Sequence, residues 1–301
     1  MSAPVTFRTA IVSVALDKRD RTVLDAIAQL SGALGLRRVV LVHVAHLDPL
    51  ADPILGGITI DKATIAAPEG LAGYAHELSQ RIPEVEIIEE HRAGTVHEQI
   101  IQLAVEEDAD LVVLGRRKAF ENHTAWGSRG VAVARHAARS VLVIPDDADP
   151  GTGEVVVGVD FSHTSNHALA VGVSLGQKVR AIYAYKVDPA ISYGGLSPQD
   201  FEEHVQQNAL RHFIDDVLPT LPQGAAEPKL TCLAGDRVSD TLIAEGEKAD
   251  LLVIGGQGRT RLASMLLGST AERVAGRCGT AVLVVREKGE RMGLLESLLH
   301  R

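Results

Sequence analysis

Short apolar runs of Val, Ile, Leu and Ala recur along the chain, each followed by a longer stretch of mixed apolar and polar positions. The runs are continuous rather than alternating, as in strands buried on both faces of a parallel sheet. They predict strands near residues 9–16, 38–44, 85–90, 110–115 and 140–144, and again near 154–160, 179–186, 228–233, 250–255 and 280–285. Helices are expected in the first half near 21–34, 69–81, 95–108 and 128–138. One helix start in the second half is spelled out: Ser197 stands at the cap, Pro198 at the first helical position and Asp200 in the first turn. Strands alternating with helices build right-handed βαβ units and a parallel sheet covered on both faces. Ligands of such open sheets bind beyond the carboxyl ends of the strands, at the topological switch point.

The pattern is written twice. Laid on the first half, the second places Leu175-Gly176 on Leu34-Gly35, Gly268-Ser269 on Gly127-Ser128, and Val282–Val285 on Val141–Ile144. With a one-residue gap, Ala234-Gly235 falls on Ala93-Gly94 and Asp250–Gly255 on Asp110–Gly115. Two copies of one domain, residues 1–148 and 149–301, account for this. The acidic, Pro/Gly-rich stretch from Pro145 to Gly153 reads as the linker between them. The expected fold class is α/β, as two tandem doubly wound domains.

Composition narrows the functional classes. A chain of 301 residues with 46% hydrophobic and 3% aromatic content is long enough for two cores of layered α/β type. A net charge of −9 with no basic domain argues against nucleic acid as a partner. No apolar run reaches the roughly 18 residues of a membrane helix, so no membrane association is expected. The N-terminal run reads as a first strand rather than a signal peptide. Cys232 and Cys278 show neither a disulfide framework nor metal-ligand spacing, in keeping with a cytoplasmic protein.

The chemistry concentrates in Asp250–Val274. A buried strand ends at Ile254-Gly255-Gly256; a loop with Gly258 and two arginines follows, and Gly268-Ser269-Thr270 opens a helix. Glycine permits the tight turn and the close approach of backbone to a ligand. The free N–H groups and dipole of the helix start make an anion site, most naturally for phosphate. The spacing is Gly255-x2-Gly258-x9-Gly268-Ser269.

This spaced set resembles the universal stress protein family, whose nucleotide-binding members carry G-x2-G-x9-G-(S/T) after their fourth strand. The resemblance implies five-stranded parallel sheets in the order 3-2-1-4-5 with helices on both faces. It also implies ATP, with Mg²⁺, in the second copy, and a stress-response role exerted through binding. It assigns the nucleotide to Asp160, Tyr185, Ile254, Gly255, Gly258, Arg259, Gly268, Ser269 and Thr270. Asp160 ends strand 1 beside ribose and adenine and is placed to help with Mg²⁺; Tyr185 ends strand 2, where backbone reads the adenine edge. Phosphates are expected on the amides of Gly258, Gly268 and Ser269 and on the Ser269 hydroxyl. In the first copy Asp17 resembles the same aspartate, or else caps the next helix. There Lys118 replaces the second glycine and the loop to Gly127-Ser128 is one residue shorter, so that copy is expected to have lost the nucleotide. The family also implies pairing of the two domains through their last strands, and two-fold association, the commonest route for such domains, allows a homodimer as well. The alternative reading is a slow ATPase or nucleotide-transferring enzyme at the same site, for which the loop offers Gln257, Arg259 and Arg261.

Other motifs carry less. His43 and His46 lie three apart on a strand, on opposite faces, and do not share a metal. Gly172-Val-Ser174-Leu-Gly176 spells a serine-hydrolase elbow but falls inside a helix. No P-loop, no G-x-G-x-x-G after an opening strand and no kinase signature is present. No catalytic residue and no metal-ligating cluster is assigned.

Overall fold

Strands whose successive residues are Val, Ile and Leu have no polar face to offer water, and they fold where both faces are covered. In the computed structural model, which describes residues 6–46, 62–116, 133–187, 197–258 and 267–287, this produces two units, Thr6–Asp149 and Pro150–Glu287. The first unit runs β1 (Thr9–Val14), α1 (Asp20–Leu34), β2 (Arg38–His46), α2 (Lys62–Arg81), β3 (Glu86–Gly94), α3 (Val96–Glu106), β4 (Leu111–Arg116) and β5 (Ser140–Pro145). The second runs β6 (Glu154–Gly158), α4 (His163–Leu175), β7 (Lys178–Tyr185), α5 (Pro198–His212), β8 (Lys229–Ala234), α6 (Val238–Gly246), β9 (Leu251–Gly255), α7 (Ser269–Arg277) and β10 (Val282–Val285). Strand order is β3-β2-β1-β4-β5 in the first and β8-β7-β6-β9-β10 in the second, and every pairing within each is parallel. Both units therefore have the expected order 3-2-1-4-5. Among the described residues, no helix is long and apolar enough to cross a membrane.

Strands β1, β4, β6 and β9 are buried almost throughout, whereas the edge strand β3 is half-exposed along its length. That edge position explains why β3 outruns the expected end near residue 90. Its polar second half, His91 to Gly94, still pairs with His43 to His46, and only one side of the strand needs a partner. In α1 the buried residues Leu24, Ile27, Leu30 and Leu34 recur at helical spacing, each contributing about 1.5–3 kcal/mol by leaving water. Gly35 closes that helix at φ 74°, its N–H donating to the Gly32 carbonyl.

Gly176, its counterpart in sequence, has φ −86° and a different task. A Cβ there would lie 2.9 Å from Val155 Cβ, and one on Gly172 would lie 2.4 Å from Val157 Cγ2. These glycines let α4 press against β6. Ser174 between them donates to the Ala170 carbonyl within the helix, so the hydrolase spelling is a packing motif. The α5 start forms as expected: the Ser197 hydroxyl accepts from Asp200 N–H, and the Asp200 carboxylate accepts from Ser197 N–H.

One carboxylate per unit ties the first and fourth strands together. Asp110 Oδ2 accepts the N–H groups of Arg8 and Thr9, and Asp250 Oδ2 accepts that of Glu154. These staples fix the register between the two copies. Ala10 stands opposite Leu111, the residue after Asp110, as Val155 stands opposite Leu251, the residue after Asp250. Carried forward, Ala15 matches Asp160, Leu16 matches Phe161, Asp17 matches Ser162 and Asp20 matches Ser165. The backbone agrees: Leu16 and Phe161 both adopt positive φ, 60° and 62°. Ala15 N–H donates to Asp20 Oδ1, as Asp160 N–H does to Ser165 Oγ. Asp17 is thus two positions past the Asp160 site, and the first copy has alanine there.

Candidate functional site

The second unit opens a cavity of about 400 Å³, a volume suited to a small-molecule ligand, beyond the carboxyl ends of β6, β7 and β9. Strand β6 is flanked by β7 on one side and β9 on the other, so the cavity lies at the switch point. One part of its wall is apolar, from Ile182, Ala184, Val238, Leu242 and Ile254. Another part is the loop after β9 and the start of α7, with Gln257, Gly258, Gly268, Ser269, Thr270 and Ala271.

Helix α7 begins without a side-chain cap; Gly268 is the cap residue, and its carbonyl accepts from Glu272 N–H. The N–H groups of Ser269, Thr270 and Ala271 occupy the first helical positions, which have no partner inside the helix. All three residues line the cavity, so its wall carries a helix N-terminus that no side chain of the described residues caps. The Gly268 N–H, expected to face a phosphate, donates instead to the Gly256 carbonyl at 2.9 Å. Gly268 serves by folding the loop back onto Gly256, and the residues whose helix-start amides open on the cavity lie one to three positions later.

The glycines of the loop are explained by what crosses them. A Cβ on Gly255 would sit 3.0 Å from the Thr164 carbonyl carbon and 3.1 Å from Ser165 N, because the first turn of α4 passes over it. A Cβ on Gly258 would sit 2.9 Å from Asp160 Oδ2. Asp160 itself is held by the α4 cap: its Oδ1 accepts from Ser162 N–H at 3.0 Å and Ser162 Oγ at 2.5 Å. Phe161, at its strained positive φ, turns the chain there and packs against Tyr183 and His212, with ring centroids 5.0 and 4.9 Å apart.

Seven of the nine residues assigned from sequence, Asp160, Ile254, Gly255, Gly258, Gly268, Ser269 and Thr270, come together on this cavity. Tyr185 does not line it. Side chains alternate along β7, so Ile182 and Ala184 face the cavity while Tyr183 and Tyr185 stack on the opposite face. Tyr185 is buried there, burial pushes its hydroxyl pKa up, and its carbonyl accepts from Gly235 N–H. Arg259 and Arg261 lie outside the described residues, as do Lys118, Trp126, Gly127, Ser128 and the tail from Met292. The residues not foreseen are chiefly Ala184, Val238 and Leu242. The alternation of β7 points to the first, but nothing local in the sequence distinguishes the other two from ordinary core.

In the first unit the matching turn has other chemistry. Asp20 is buried and accepts from both Ala15 and Asp17 N–H; burial pushes its carboxyl above the usual 3.8. Asp17 pairs with Arg19, and Tyr74 donates to the Asp17 carbonyl. Arg116, itself buried, follows Gly115 where Gly256 follows Gly255.

Comparison with known proteins agrees with this architecture. The model of the universal stress protein family matches residues 7–145 and again 152–286. The chain belongs to that family and carries two of its domains in tandem. Universal stress protein Rv2005c of Mycobacterium tuberculosis is 31% identical over 192 residues, which is 61% of this chain and 64% of that relative. Universal stress protein Rv2623 of the same organism is 28% identical over 221 residues, 65% of this chain and 71% of the relative. The crystal structure of a universal stress protein from Archaeoglobus fulgidus has the same fold. Its TM-score is 0.65 at 20% identity, over 92% of this chain and 98% of that one.

Proposed function

We propose that the second copy binds an adenine nucleotide, ATP with Mg²⁺, and that the protein acts as a stress-response regulator through binding. The observation that carries this reading is an uncapped helix N-terminus opening onto a cavity whose other wall is apolar. The amides of Ser269, Thr270 and Ala271 suit phosphate oxygens, and the Ile182–Ala184–Val238–Leu242 wall suits a flat base. Asp160 is the one ionisable side chain among the described residues of the wall. A single carboxylate together with phosphates and water is a common magnesium site. Binding is preferred to turnover because phosphoryl transfer also needs a group to orient the nucleophile, and the described wall has no His and no second carboxylate beside Asp160. Chromatography of the small molecule released on denaturing freshly purified protein tests the reading. Adenine nucleotide at close to one equivalent supports it; protein that is nucleotide-free and stays so after incubation with ATP and Mg²⁺ overturns it.

A further inference from the structure

The described start of the loop after β9, Gly256-Gln257-Gly258, has one side chain of its own, and the Gly256 carbonyl receives the Gly268 N–H at the start of α7. Something outside the cavity must hold it. The hydroxyl of Thr164, in the first turn of α4, donates to the carbonyl of Gln257, two residues past the end of β9. Thr164 does not line the cavity. Its backbone lies over Gly255, within 3.0 Å of where a Cβ would be, so helix and loop are already in contact when the hydroxyl makes its bond. On its other side Thr164 Oγ1 lies 3.3 Å from Ser162 Oγ, which donates to Asp160 Oδ1. One short run, Asp160–Ser162–Thr164–Gln257, thus joins the two loops that face each other across the cavity.

We infer that Thr164 is a positioning residue: it clasps the glycine loop to α4 and holds the loop in the shape that receives the ligand. The inference rests on the nucleotide reading for its consequence, while the clasp itself can be read without ligand. In the first copy Arg19 occupies the matching position and pairs with Asp17, and Ala15 stands at the position of Asp160. The Gln257 carbonyl is part-buried beneath α4. Removing its donor while keeping the bulk of the side chain takes away the bond that ties the loop to α4, which loosens the loop there.

The test uses the full chain with Thr164→Val, which keeps the branched shape, and Thr164→Ser, which keeps the hydroxyl. Calorimetry with ATP and Mg²⁺ should show about tenfold weaker binding for the valine variant and near-wild-type affinity for the serine variant. Hydrogen exchange without nucleotide should quicken over Gly255–Gly258 in the valine variant alone, and elsewhere stay unchanged. A purely structural role would slow or speed exchange across α4 as well and would not be rescued by serine. Equal affinity and equal loop exchange in wild type and Thr164→Val overturn the inference. If the wild-type chain binds no ATP, the nucleotide reading fails, and the exchange comparison alone then decides the clasp.

Discussion

Gly258 and Asp160 face each other so closely that a Cβ on the glycine would lie 2.9 Å from Asp160 Oδ2. The second glycine of the loop is therefore a requirement set by the end of the first strand. Two segments nearly a hundred residues apart in sequence meet here with room for a ligand and none for a side chain.

Replacing Gly258 with leucine should abolish nucleotide binding and leave the fold intact. Gly258 is exposed and its φ is not in the left-handed region, so the backbone tolerates the change while the side chain has only the cavity mouth to enter. Calorimetry should show no ATP binding, with a far-ultraviolet circular dichroism spectrum like that of the wild type.

Much of this was legible in the sequence because parallel strands buried on both faces announce themselves as apolar runs. Ten strands, their order and the glycine loop were read that way or through family resemblance. What escaped depends on register and direction. Residues Asp20 to Leu34 make a helical path about one turn longer than Ser165 to Leu175, so matching the helix ends hid the offset at the strand end. Asp17 was therefore set beside Asp160, where the staple carboxylates Asp110 and Asp250 place Ala15 instead. Tyr185 was named for its backbone at the end of β7, and side-chain alternation adds Ala184 to the cavity wall beside it. Likewise the role of the Gly268 N–H depends on how the loop folds back to Gly256, which spacing alone does not reveal.

Two glycines inside helices should respond oppositely to alanine. At Gly172 the new Cβ would lie 2.4 Å from Val157 Cγ2, whereas at Gly32 nothing lies within 4 Å. Alanine is the better helix former by about 1 kcal/mol, so Gly32→Ala should stabilise by ~0.5–1 kcal/mol. Overpacking at Gly172 should outweigh the same gain and leave a net loss of about 1–2 kcal/mol. Urea denaturation of the two variants beside wild type measures both.

His167, half-buried on α4, should make the protein less stable in mild acid. Burial holds its imidazole pKa below the ordinary 6.5, against an opposing pull from Glu287 and with a small contribution from neighbouring His163. A base with a depressed folded pKa binds its proton more readily when unfolded. Its contribution to stability is thus full above about pH 6.5 and is lost as pH falls through that value toward the folded pKa. The melting temperature of wild type relative to His167→Gln should fall over that interval; parallel curves would show that His167 is not the group responsible.

The nucleotide should occupy one copy only. In the second, three α7 amides face a cavity with Asp160 on its wall. In the first, alanine stands at the aspartate position and Lys118 at that of the second glycine. Equilibrium titration of the full chain with ATP and Mg²⁺, run beside the Gly258→Leu variant, tests this most directly. The account predicts one site per chain in the wild type and none in the variant. Two equivalent sites, or one site that persists in Gly258→Leu, would contradict it.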